Sequence, residues 1–334
     1  MAETRLANII VPSVFTDYTL EPSIYRSRLW KSGAIAIDGE VSMKLGGGGK
    51  TYNLPAWQDT VGTSGDIPSE TVASTVNAIT ARDQVFLKQF REKVWGQNAL
   101  SLSQAGSNAL EGAVSRVNDY WAQAYEKIAI ASMAGIVADD IANDSSSITN
   151  DISGGAGTAS NFSDDAVIDT QGKLGENGTV GFDGIGDFVT IVMNPAVYQY
   201  ARKLDLIDFV PISGQERPLA FYMGMQVIVT RNAPVDTGVY QTFLLKANAM
   251  KYGVTSEGYT PTEIDRDATK GFGIDNLYTR RVFAIHPVGY EWKSGSVAGV
   301  SPTDAELALA ANWSKVYEAE AQGIACLVHK INQA

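Results

Sequence analysis

The chain has 334 residues, 45% of them hydrophobic, with one cysteine and a formal net charge of −11. That length is ample for a sizeable core and suggests two domains or one elaborated one. The acidic balance, with no basic run longer than pairs such as Arg280-Arg281, argues against a direct nucleic-acid reader, and the lone Cys326 excludes an internal disulfide framework and fits a reducing compartment. The opening MAETRLANIIVP has no charged segment ahead of a long apolar one, and no run approaches the ~18 apolar residues of a membrane span. Neither a signal peptide nor a membrane segment is expected, so the Asn-x-Ser/Thr triplets at Asn143, Asn161, Asn177 and Asn312 are chance matches.

Residues 1–40 read as an arm. Apolar side chains recur (Val14, Phe15, Leu20, Ile24, Tyr25, Leu29, Trp30), but Pro12 and Pro22 cut the segment into short pieces. Such a segment cannot close its own core, so it should lie over the body of its subunit or over a neighbour. Residues 41–95 read as an extended hairpin. A glycine run, Gly46-Gly47-Gly48-Gly49, leads into KTYNLPAWQD, then a bend at VGTSGDIPSE, then a long return through residue 95. β-Branched and aromatic residues on both limbs favour strands. Its apolar residues Leu54, Trp57, Val61 and Ile67 are too sparse to bury one another, and a lone two-stranded ribbon is marginal in water. Stabilisation by another subunit is therefore expected.

Residues 103–142 carry apolar side chains at Leu110, Val114, Val117, Trp121, Tyr125 and Ile128, continuing to Ser132 and Gly135, in steps of three and four. That spacing predicts a helix, capped at Ser107 or Asn108, about 50 Å long. Polar Asn118 and Gln123 break any heptad seam, so it is a spine along one side of the molecule and not a coiled coil.

The Gly/Ser-rich residues 143–165 read as a surface loop or domain junction. A buried strand (187–195), a short helix (196–208) and two strands (224–234 and 240–254) joined by a turn between Pro234 and Gly238 then predict an α/β or α+β unit. Residues 277–292 read as a strand pair broken at Pro287-Val288-Gly289. Residues 301–317 follow as a helix capped by Ser301 or Thr303, with Glu306 at capping-box spacing from Thr303, and 324–331 as a last apolar strand.

No catalytic set emerges. GGGGKT (46–51) ends like a phosphate-binding loop, but Lys44 stands where its first glycine belongs and Tyr52-Asn53-Leu54-Pro55 starts no helix. Asp236-Thr237-Gly238 copies an aspartic-protease triplet without a second copy in the chain, and a turn needs Asp and Gly there anyway. The two histidines, His286 and His329, lie in apolar runs, and Cys326 and His329 fall on opposite faces of a strand. Catalytic, cofactor-binding and metal sites are all read as none.

A proline-broken arm, a long hairpin, a spine helix and a discontinuous second unit together resemble the tailed-bacteriophage major capsid proteins of the HK97 fold. GGGGKTYNLPAWQDTVG (46–62) resembles the outgoing limb of the family's E-loop, and FREKVWGQNALS (90–101) its return. Residues 116–138 resemble the spine helix, DFVTIVMNPAVYQYARKLDLIDFVP and YMGMQVIVTRNAP the axial domain, and FAIHPVGYEW (283–292) late strands of the peripheral domain. The resemblance implies an α+β fold divided into an arm (1–40), an E-loop (41–95), a peripheral domain with the spine (96–150 plus 275–334) and an axial domain (165–270). It implies a non-enzymatic shell protein of the virion, assembled in the bacterial cytoplasm as pentamers and hexamers, enclosing double-stranded DNA without reading its sequence. Portal and scaffolding or decoration proteins are the implied partners, with no membrane and no cofactor. Contacts between subunits are expected at Leu54, Trp57, Val61 and Ile67 of the hairpin and at Val14, Phe15 and Trp30 of the arm. Three other readings share parts of this pattern: an encapsulin-like compartment enclosing protein cargo, a hydrolase using Asp236 across a dimer, and a receptor-binding or tail structural protein.

Overall fold

The computed structural model describes residues 29–58, 67, 71, 78–105, 109–175, 178, 188–211, 218–269 and 272–331. Val14, Phe15 and Val61 lie outside the described residues, as do the expected caps Ser107 and Asn108. Along the described chain the helices α1 (Gly39–Leu45), α2 (Ala99–Ala105) and α3 (Ala109–Asn143) alternate with strands. These are β1 (Ile35–Ile37), β2 (Thr51–Trp57), β3 (Ala81–Leu87), β4 (Gln89–Asn98), β5 (Thr149–Asp151), β6 (Phe188–Met193), β7 (Asp208–Val210), β8 (Leu219–Tyr222) and β9 (Met225–Val229). They continue as β10 (Val235–Asp236), β11 (Val239–Lys246), β12 (Met250–Thr255), β13 (Thr262–Asp267), β14 (Ile274–Pro287), β15 (Tyr290–Trp292), β16 (Trp313–Lys315) and β17 (Ile324–His329).

The spine forms as the 35-residue helix α3, and residues 103–105 of the expected span belong to α2. Its first half buries a stripe through Val117 and Trp121, while Val114, assigned above to that stripe, is 52% exposed. From Ile128 to Asp140 the helix is largely enclosed, with Ala129, Ile130, Met133, Ile136 and Val137 all in the main core. Gly135 belongs there for a steric reason: a Cβ would overlap the Leu307 carbonyl and the indole of Trp313, whose Nε1 donates to that carbonyl at 2.7 Å. A shorter helix, Pro195–Lys203, starts where the sequence suggested, with Asn194 Oδ1 accepting from the Ala196 N–H and proline in the first turn.

Two larger sheets flank the spine. One has five strands, β1-β12-β14-β13 with β4 on the other side of β14. The other has eight, β5-β17-β11-β6-β9-β8-β7 with β10 paired to β11. These sheets bring together strands that are far apart in the sequence. The C-terminal strand β17, grouped above with 275–334, lies between β5 and β11, because all six of its residues are buried and such a strand needs neighbours on both edges. Conversely β12 and β13, grouped above with 165–270, pair with β14. The chain changes sheets at Ala247-Asn248-Ala249, where Asn248 takes a left-handed φ of 59°.

Other expectations are corrected locally. The Gly/Ser-rich loop contributes an edge strand, β5, because the Asp140 carboxylate accepts from the N–H groups of Ser147 and Ile148 and holds the turn after the spine. β9 and β11 are not neighbours; β6 separates them. β14 and β15 do not pair, since Gly289 at φ 89° turns the chain so that β15 meets β16. The helix expected over 301–317 is only Asp304–Leu307, yet its capping box between Thr303 and Glu306 is complete.

Candidate functional site

The hairpin is the feature that the fold leaves least enclosed. β2 and β3 pair antiparallel from Thr51 opposite Leu87 to Trp57 opposite Ala81, and they join neither large sheet. The rest of the expected return limb is β4, which leaves the ribbon after Lys88 and pairs for ten residues with β14. The hairpin is therefore shorter at its foot than residues 41–95 implied.

The foot is built by alternation. Tyr52 and Leu54 point one way from β2 and meet Phe86 on β3, and behind them lie Val41 and Leu45 of α1 and Ala284 of β14. Tyr52 stacks on Phe86 at 5.5 Å, and Phe86 on His286 at 4.0 Å. α1, unforeseen in the sequence, supplies the platform. Asp38 caps it by accepting from the Glu40 and Val41 N–H groups, and Lys251 beside that carboxyl holds its pKa below the usual carboxylate range. The glycine run follows this helix instead of preceding one, and Gly47 offers its carbonyl to Lys88 Nζ at 2.9 Å, the reverse of a phosphate cradle. Farther out, the Arg82 guanidinium donates to the Val316 carbonyl and pairs with Glu318, and Gln84 Oε1 accepts from the Gly289 N–H at 3.2 Å.

Past this clamp three described side chains stand largely uncovered. Trp57 is 76% exposed, Ile67 91% and Ile79 63%. Pro55 on β2 presents no N–H, which blunts that edge against indiscriminate pairing. The residues singled out above thus separate. Leu54, expected at a contact between subunits, is covered by its own chain, whereas Trp57 and Ile67 face solvent. Trp30 is half-buried within the subunit, 4.8 Å from the Tyr252 ring and 6.0 Å from Tyr125. Ile79 was missed, although it sits at the mouth of the return limb in the run TVNAIT.

The candidate chemistry of the sequence resolves into structure. His286 Nε2 bonds the Tyr290 carbonyl at 2.7 Å, and His329 Nε2 bonds Thr242 Oγ1 at 2.9 Å. Burial pushes both imidazoles down to about 4, which keeps them neutral. Burial also raises the Cys326 thiol well above its ordinary range, so it is no nucleophile. Asp236 precedes Thr237 and Gly238, whose φ values of 48° and 81° are those of a two-residue hairpin turn, and its carboxylate accepts from the Thr237 hydroxyl. That geometry accounts for the triplet without catalysis. Among the described residues no cluster of His, Cys, Asp and Glu suits a metal, and no helix is long and apolar enough to cross a membrane.

Comparison with known proteins places this architecture. No family model matches the sequence. The chain is 32% identical over 338 aligned positions to the major capsid protein of Bacillus phage SPP1, covering 99% of each. Among solved structures it is similar to the capsid of Ralstonia phage GP4 (TM-score 0.59, 9% identity, 96% of each chain) and to the capsid of cyanophage Pam1 (TM-score 0.57, 10% identity, 99% of each chain). A Mycobacterium phage Che8 chain matches at TM-score 0.56 and 14% identity, with 96% of this chain and 97% of that one covered.

Proposed function

This chain belongs to the phage major capsid protein family, a structural family with the HK97-type fold, and from that premise we propose that its copies close into an icosahedral shell of pentamers and hexamers around double-stranded DNA. The observation that carries the reading is the hairpin: its foot is clamped to the subunit while Trp57, Ile67 and Ile79 stand in water beyond the clamp. Burying each such isoleucine against a neighbour gains roughly 1.5–3 kcal/mol, multiplied over every copy of a closed assembly. The arm, residues 1–40, and the hairpin are the segments that reach neighbours. DNA is enclosed without base recognition, as the acidic balance of the chain requires. Portal and scaffolding or decoration proteins complete the particle, which forms in the bacterial cytoplasm.

Electron microscopy of the purified chain, and of particles from a lysate, tests this. Closed shells holding DNA are the expected result. Shells filled with enzyme would favour a cargo compartment, and a chain of about 36 kDa that never associates would refute the reading.

A further inference from the structure

A groove of about 340 Å³ runs beside the first half of the spine. Asn118, Ala122 and Tyr125, four and three residues apart on one face of α3, line it from the helix side. Trp30 and, from β12, Tyr252 and Val254 line it opposite, and Val254 is 41% exposed. Among the described residues Arg281 is the lining's one charged group, with no acid beside it. Its guanidinium lies 5.5 Å from the Trp121 ring, and Nη1 donates to the carbonyls of Pro261 and Arg280 at 3.2 and 2.8 Å. Nε and Nη2 have no hydrogen-bond partner among the described residues, and neither is sealed from solvent. The adjacent Arg280 takes Glu92 and Glu263, which leaves Arg281 without an ion pair among those residues. The Nε–Nη2 edge of a guanidinium is the fork that a carboxylate grips with both oxygens. The groove is thus apolar along its length and lacks one carboxylate.

A segment of matching chemistry is tethered at the groove itself. Residues 1–28, outside the described residues, join the chain at Leu29, next to the lining residue Trp30. Within them TLEPSIY (19–25) sets Glu21 among Leu20, Ile24 and Tyr25. The distance can be spanned: Trp30 lies 6.0 Å from Tyr125, Tyr125 5.9 Å from Trp121, and Trp121 5.5 Å from Arg281. Glu21 stands nine residues before Trp30, and that length of chain reaches up to ~30 Å. We propose that the groove holds residues 20–28 of the same chain's arm, with Glu21 paired to the Nε–Nη2 fork of Arg281 and the apolar residues around it covering Trp30 and Val254. So short a tether presents Glu21 at an effective concentration on the order of millimolar, which favours it over the same segment of a second copy at micromolar concentration. Residues 1–19 then leave the subunit at Arg281 and not at Trp30, so this contact sets where the arm meets a neighbour. The contact belongs to the subunit before assembly and stands whether or not shells form.

Trypsin cuts after arginine, and Arg26 and Arg28 fall inside the held segment. Cleavage there is followed by mass spectrometry on the full-length, unassembled chain at two protein concentrations. Wild type should be cut slowly and at a rate independent of protein concentration. Glu21→Gln and Arg281→Gln should each speed cutting about tenfold, and the double variant no more than either alone, because both remove one pair. Asp17→Asn, the nearest other acid of the arm, should stay within about twofold of wild type. Glu21→Gln alters none of the described residues, so it carries the test even where Arg281→Gln unfolds. Wild type cut as fast as E21Q overturns the proposal, as does D17N matching E21Q or a double variant cut about a hundredfold faster. Protection that grows with protein concentration also overturns it, by making a second copy the occupant.

Discussion

The two faces of one ribbon behave oppositely. At the foot, Tyr52, Leu54 and Phe86 turn one way and are taken up by α1 and β14, while Trp57 and Ile79, at alternate positions, turn the other way and stay largely exposed. The strands are the same. What differs is the platform, which lies under one face only. Apolar residues on that face therefore hold the subunit together, while those on the other contribute only when another molecule arrives.

Variants sharpen that contrast. Phe86→Ala removes a fully buried ring stacked between Tyr52 and His286, and it should cost about 3–5 kcal/mol in urea unfolding of the unassembled chain. Acid should loosen the same face. His286 is held neutral with a pKa of about 4 against an ordinary 6.5, so between those values the unfolded chain binds the extra proton. Its contribution is complete above about pH 6.5, falls as pH drops and is gone near 4, a change on the order of 3 kcal/mol. His329 titrates with the same sign in the other sheet, so His286→Gln should remove only part of the difference between urea midpoints at pH 7 and pH 5. Arg82→Ala, which cuts the clamp to Val316 and the exposed Glu318, should cost about 1 kcal/mol. Trp57→Ser should change the unassembled chain by less than about 0.5 kcal/mol, because the indole is 76% exposed, yet shells should form only at much higher protein concentration.

What the sequence made legible follows from how local each signal is. The spine's three-and-four spacing, the Thr303–Glu306 capping box and the turn at Thr237-Gly238 are all written within a few residues, and each is found. Sheet membership is not local. Nothing in IACLVH tells it to pair with β11 in place of the nearer β16, and nothing in MKYGVT sends it to β14. That Leu54 and Trp57 fall on opposite faces follows from their spacing, but which face is covered does not, since it depends on α1, a seven-residue helix whose signal, an Asp38 cap ahead of Val41 and Leu45, is overshadowed by the glycines after it. Glu126 has no local signal either; the hydrogen bond it accepts from Thr230 comes from another element.

The exposed face of the hairpin as half of an interface can be read directly from the assembled particle. A density map of the shell resolving side chains should show Trp57 and Ile79, 76% and 63% exposed in the isolated subunit, buried against an adjacent copy. A shell in which both still face solvent would contradict the account.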